Sequence, residues 1–318
     1  MENILKEPKK KSKLKNSQKD LIFYIIMMVW PVLQFVIFYV LVNFNSILMA
    51  FQKLDIDGSV AGWTWQYMER AWTNLLGLGA SNTLAEAAVR SLQSYGIGLF
   101  IGTPLGLFFS YYIYKKLPFA SGFRVILFLP SILGGIVMVT MYKFFVGQVL
   151  PNVALELFGT EMKGLLDLTT PNNTRFATIM FFNIWSGFGG GVIMYSNAMS
   201  GISQELVDSA HLDGAMGIRE FIYITLPGIF PTLSTFLITG VAGVFTNQAN
   251  IFSFYGLGDA GKSIGTYGHI IYVWTKENLN NYSEYSYLSA LGLYMTAVAV
   301  PLTYLIKWLL EKFGPSEE

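Results

Sequence analysis

Polar and apolar residues alternate in long blocks rather than at single positions. Six apolar stretches stand out, at about residues 21–42, 91–112, 125–146, 176–197, 229–252 and 287–310. Each reaches the roughly 20 residues that a helix needs to cross a bilayer. Backbone in lipid must satisfy its own hydrogen bonds, so the expected fold is all-α, a polytopic membrane protein with six transmembrane helices. Details within the stretches refine this. Gly98, Gly102 and Gly106 recur every four residues in the second span, a smooth strip suited to close helix packing. Pro130 with Gly134 and Gly135 predicts a bend in the third. Gly187 to Gly191 (GFGGG) predicts irregular backbone in the middle of the fourth, which survives at that depth only when buried in protein or lining a cavity.

The polar segments set the orientation. Residues 1–20 form a basic tail carrying Lys6, Lys9, Lys10, Lys11, Lys13, Lys15 and Lys19. The apolar run after it exceeds a signal peptide's 7–15-residue core and lacks a small-residue cleavage site, so it reads as a retained first span. Lysine and arginine collect on one set of connections, with Lys115, Lys116, Arg124, Arg219, Lys307 and Lys312 on the side of the tail. The longer connections opposite hold Lys53, Arg70, Lys163, Arg175, Lys262 and Lys276 scattered among acids. The positive-inside rule therefore places both termini in the cytoplasm. The expected organisation is the tail, 1–20, and one transmembrane domain, 21–318.

Composition supports the bilayer and removes other classes. Only 13% of residues are charged, where a soluble domain carries about 25%, and mean hydropathy is +0.46. The formal net charge of +1 gives no reason to expect a nucleic acid. Without cysteine there is no disulfide, thiol nucleophile or thiolate metal site, and the two histidines stand far apart. No metal is expected.

One polar insert interrupts the apolar blocks, residues 200–227, between the fourth and fifth spans. Ser203 is a suitable N-cap and Glu205 suits the positive end of a helix beginning there. Leu206, Val207, Ala210 and Ala215 can share one face, apart from Glu205, Asp208 and His211. Gly214 predicts the stop, and a second helical run from Ile218 is expected to end before Pro227. Residues 204–213 make about 15 Å of helix, enough to fill a groove on another protein. Of Glu205, Asp208 and Asp213, the first two are three apart and could share a helix face, but no third ligand or histidine base is placed with them, so docking is the better reading than metal or acid–base chemistry.

This insert resembles the EAA loop of permease subunits of type I ATP-binding-cassette importers. Asp208, Ser209 and Ala210 stand at the Glu-Ala-Ala positions, and Asp213, Gly214 and Ala215 match the family's Asp-Gly-Ala. Phe221, Leu226 and Pro227 match downstream. Asp replaces Glu and Ser replaces Ala, which keeps charge and size. FLPSILGG (Phe128 to Gly135), NIWSGFG (Asn183 to Gly189) and the aromatic run after Gln248 resemble the carbohydrate-uptake branch, typified by maltose and glycerol-phosphate permeases. The resemblance covers nearly everything from Leu21 onward. It implies a non-enzymatic subunit of a bacterial plasma membrane with a cytoplasmic coupling helix formed by the 200–227 loop. It further implies a second permease, two cytoplasmic ATPase subunits and an extracytoplasmic solute-binding protein as partners. No cofactor is expected in this chain; ATP and magnesium belong to the partner subunits.

Candidate path residues are polar or aromatic groups inside the spans: Asn183, Trp185, Tyr195 and Asn197 in the fourth, and Asn247, Gln248 and Asn250 in the fifth. Polar groups at that depth face a bundle interior or a water-filled route. Amides, which donate and accept, with aromatic faces suit a neutral polyhydroxylated solute such as a sugar or oligosaccharide. The competing reading is hydrogen bonding between helices. Arg90 and Lys143, near span ends, are expected to snorkel. Residues 256–263 fit the phosphate-loop pattern G-x-x-x-x-G-K-[ST], but they follow a span, not a strand, and fall on the outer side. An importer of another polar solute is the first alternative. An ATP-independent transporter or channel is the second; it calls for an intramembrane carboxylate or an inverted repeat, and neither is evident in the sequence.

Overall fold

The computed structural model describes residues 16–55, 57–77 and 83–315. The tail lysines from Lys6 to Lys15 lie outside the described residues. Among the described residues the regular structure is helical apart from one short hairpin, and five helices are long and apolar enough to cross a membrane: Lys19–Met49, Thr83–Tyr114, Gly135–Phe158, Asn172–Ser200 and Tyr282–Phe313. A sixth crossing is a bent pair, Ile218–Gly228 and Phe230–Ala242, meeting at 68°. These are spans 1, 2, 3, 4, 6 and 5 of the chain. The helices overrun the apolar stretches at most ends, because helix continues beyond the hydrocarbon layer while hydropathy reports only the part within it.

Several expectations change in detail. The connection after span 1 holds an antiparallel hairpin, Gln52–Leu54 with Val60–Trp63, and a helix, Gln66–Leu75. Trp63, Trp65 and Trp72 stay exposed along it. The third crossing is preceded by the apolar helix Ala120–Ile132, and the two are broken at Leu133 and Gly134, where the bend was expected. Helix then runs on to Phe158, so the outer connection is shorter than 147–175.

Span 4 is a continuous helix through all of GFGGG, which corrects the expected irregularity. The glycines serve proximity instead: a Cβ on Gly189 would lie 2.8 Å from the Leu127 carbonyl oxygen and from Phe128 Cα. The irregular backbone lies in the stretch read as a continuous fifth span. Helix ends at Ala242, and residues 243–250 form turns in which Ala249 and Asn250 take left-handed conformations, φ 51° and 57°. The segment beyond, expected as an outer loop, is packed. It forms short helices Ile251–Tyr255 and Asp259–Lys262 and the longer Tyr267–Glu277. Ile264, His269, Ile270 and Val273 are fully buried there.

Contacts sort the connections into two ends. At one, Arg70 pairs with Glu284 at 3.1 Å, Asn74 donates to the Tyr287 hydroxyl, and Asn172 donates to the Ser263 carbonyl. At the other, Lys115 pairs with Glu220, the Tyr111 hydroxyl donates to the Gly217 carbonyl, and Gly314 lies against the Phe230 ring. This is the alternation that six crossings require.

Candidate functional site

Two features answer to the sequence candidates, a cavity between the spans and a helix across one end. Ser203 takes an extended conformation, and its Oγ accepts from the Leu206 amide at 3.2 Å, capping the helix Gln204–Leu212. The chain reverses at Gly214, φ +79°, and again at Gly217, φ +61°, backbone that side chains with a Cβ adopt at a cost. The second run does not stop before Pro227. It continues to Gly228, with a wide turn at Phe221–Thr225 just before Pro227.

The helix rests on Val207 and Ala210, which are buried, with Ala215 half-buried beside them. Leu206, expected on this face, is instead half exposed at its edge. Glu205, Asp208, Ser209, Asp213 and Gly214 all face out. Among them stand Leu212, 90% exposed, with Met216 and Ile218. Sequence reasoning missed these three because apolar residues in a polar loop read as its inner side. The result is an acidic rim around an apolar patch, the composition of a protein contact rather than a solvated helix.

The cavity lies between spans 2, 4 and 5. It has two lobes of about 300 and 250 Å³ that share Ser94, Gly98, Thr103, Tyr195 and Asn247. Span 2 gives it a smooth wall. A wide turn at Gly98–Gly102 is closed by Thr103, whose hydroxyl donates to the Gly98 carbonyl at 3.2 Å. The glycine strip packs as expected at two of its three positions, where a Cβ on Gly102 would lie 3.7 Å from Ile184 and one on Gly106 3.8 Å from Tyr195, both on span 4, while Gly98 is open, with nothing within 4 Å. Asn183, Tyr195 and Asn247 reach the cavity, as do Ser94 and Thr103, which were not singled out because a hydroxyl within an apolar run carries little signal. None of the residues lining either lobe is Asp, Glu, Lys, Arg or His.

The other candidates stand elsewhere. Trp185 lines an apolar crevice with Met138, Met141 and Phe181, and Asn197 is exposed toward the inner end of span 4. Asn250 donates to Asn183 Oδ1 at 2.7 Å, while Asn183 donates to the Ala249 carbonyl at 2.8 Å. Gln248 is half-buried in the same turn. The amides thus hold the break in span 5 against span 4 as well as facing the cavity. Lys143 does not snorkel; it donates to the Phe254 carbonyl at 2.9 Å. Arg90 sits over the Phe176 ring.

The phosphate-loop pattern has helix on both sides and no strand. Its Lys262 is held by Glu277 at 2.7 Å and Asp259 at 3.3 Å, and Arg175 donates to the Ala260 carbonyl and Ser263 hydroxyl. Among the described residues no group of three or more His, Cys, Asp or Glu is placed to hold a metal.

Fold and site together give a helical membrane bundle with an uncharged cavity between its spans and a short exposed helix across one end. No family model matches the chain. It is 25% identical over 209 residues to the multiple sugar-binding transport system permease protein MsmF of Streptococcus mutans, covering 66% of this chain and 70% of that protein. It is 33% identical over 138 residues to a probable ABC transporter permease of Mycoplasma pneumoniae, covering 42% and 41%. Against the galactooligosaccharides permease GanP of Bacillus subtilis it is 28% identical over 204 residues and spans 48% of that relative. The fold matches a chain of a bacterial ABC transporter that imports the acidic polysaccharide alginate, with a TM-score of 0.75 at 18% identity, over 93% of this chain and 97% of that one. In sequence the chain is similar to permease proteins of ATP-binding-cassette transporters, and it has the fold of a chain from one of them.

Proposed function

We propose that this chain is one of two permeases that together carry a neutral sugar or oligosaccharide across the bacterial plasma membrane. The single observation that carries the reading is that spans 2 and 4 line the cavity and also run to the docking helix. A push on that helix thereby acts on the two walls of the path. Two cytoplasmic ATPase subunits supply the push by closing on ATP; their groove takes the apolar patch at Leu212, Met216 and Ile218 within the rim of Glu205, Asp208 and Asp213. An extracytoplasmic binding protein delivers solute to the opposite end. ATP and magnesium stay with the ATPases, and this chain does no chemistry.

Support for a sugar comes from relatives named for multiple sugars, galactooligosaccharides and arabinooligosaccharides. A structure with the same fold is described in complex with a periplasmic protein bound to an alginate pentasaccharide. The cavity favours a neutral solute over an acidic one, since hydroxyls and amides pair with sugar hydroxyls and no cation is present to balance a carboxylate. The test is to purify the chain with its bound partners and identify by mass spectrometry the ligand held by the binding protein. ATP-dependent uptake of that ligand by the reconstituted complex is expected. Uptake by this chain alone, without ATPase, would overturn the reading.

A further inference from the structure

The Glu220 carboxylate, only 1% exposed, lies where the docking helix meets the end of span 2. Its Oε1 is 2.5 Å from Lys115 Nζ, off the hydrogen-bonding direction, so that contact is ionic. Its Oε2 is 2.8 Å from Nε2 of His211, which comes from the docking helix itself. One buried carboxylate therefore grips two elements, one on each oxygen. Around it, Tyr111 donates to the Gly217 carbonyl and packs at a tilt against Phe221, with ring centroids 5.0 Å apart. The Lys115 ammonium sits 5.5 Å from the Tyr114 ring.

We infer that Glu220 is a positioning residue, the joint that fixes the docking helix to span 2, and that a charge on His211 tightens it. This rests on the proposed function for what the joint transmits, but not for its existence. An apolar contact would hold the loop as firmly; an ion pair adds a fixed direction and register. Neutral imidazole offers Glu220 one hydrogen bond, whereas imidazolium offers the same bond with a full charge.

The other ionisable groups facing the joint are of types that ordinarily titrate outside pH 6 to 8. Glu220 carries a carboxyl and Tyr111, from span 2, a phenol, one ordinarily titrating well below that window and the other well above it. Lys115, Tyr114 and Arg219, and Asp208 and Asp213 on or beside the docking helix, are groups that ordinarily titrate well outside this window. Histidine is the side chain that ordinarily titrates within it.

The chain lacks cysteine, so two spin labels can be placed cleanly, at Gln204→Cys on the docking helix and Lys116→Cys beyond span 2. The full chain in lipid nanodiscs is measured at pH 6 and pH 8, with no ATPase or solute. The expected result is a single narrow distance distribution that broadens as pH rises. Glu220→Gln should be broad at both pH values, His211→Lys narrow at both, and His211→Gln insensitive to pH. A distribution in Glu220→Gln as narrow as the parent's overturns the joint. So does a His211→Lys chain that follows the parent's pH profile. Should Glu220→Gln fail to fold, the partly exposed His211 variants decide alone. Loss of ATP-driven uptake in the parent complex would sink the transport reading and leave these distances unaffected, so the two failures are separable.

Discussion

At the scale of single residues, two glycines show what the sequence reveals and what it hides. Gly214 was legible because a short polar helix must end somewhere, and the positive φ bears this out. A left-handed conformation costs an ordinary residue about 1–2 kcal/mol, and bulk here also stands on the outward surface. Gly214→Leu is therefore expected to cut uptake about 5- to 30-fold, a factor of ten being about 1.4 kcal/mol, with membrane insertion unchanged on immunoblots of the membrane fraction. Gly189 was misread, since GFGGG looks like broken helix until a neighbour is known to lie against it. Gly189→Val puts side-chain atoms into the Leu127–Phe128 backbone and should destabilise by about 1–3 kcal/mol. Gly190→Val, with nothing within 4 Å, should not. Thermal unfolding of the two purified variants compares them directly.

At the scale of elements, the glycine strip of span 2 separates packing from permeation. Spacing alone cannot tell a close helix contact from a cavity wall, because both need a flat surface. The structure leaves Gly98 open and lining the cavity. Gly98→Leu should leave the fold as stable or stabilise it by up to about 1 kcal/mol, the helix-propensity gain over glycine. It should nonetheless block uptake while ATP hydrolysis by the complex continues. A loss of folding instead would restore the packing reading. The break in span 5 escaped notice for a related reason. Asn247, Gln248 and Asn250 read as polar groups facing a path inside a span rather than as turn residues, because the partner that holds the turn, Asn183, lies on another span. The segment after it misleads in the opposite sense. Gly256 to Ser263 spells a phosphate loop, yet Lys262 already answers to Glu277 and Asp259. Lys262→Ala is expected to leave nucleotide binding by the assembled complex unchanged, measured with a fluorescent ATP analogue.

For the whole molecule, counting apolar blocks yielded six crossings and their order, because the bilayer imposes length and continuity that sequence displays directly. The convergence of spans 2, 4 and 5 on one cavity was not legible, as it depends on which faces meet. Orientation follows from charge, and the structure adds an independent constraint by tying Lys115, Gly217 and Glu220 together at one end. Whatever side holds one of them holds all. A chain with no cysteine allows that side to be read from two substitutions. Leu212→Cys lies on the docking helix and Leu168→Cys on the connection between spans 3 and 4, and both residues are well exposed. With an impermeant maleimide on intact spheroplasts, Leu168→Cys should label at once and Leu212→Cys only after the membrane is opened. Labelling in the reverse order would place the docking helix outside, away from any ATPase, and the lever with its His211–Glu220–Lys115 joint would have nothing to drive it.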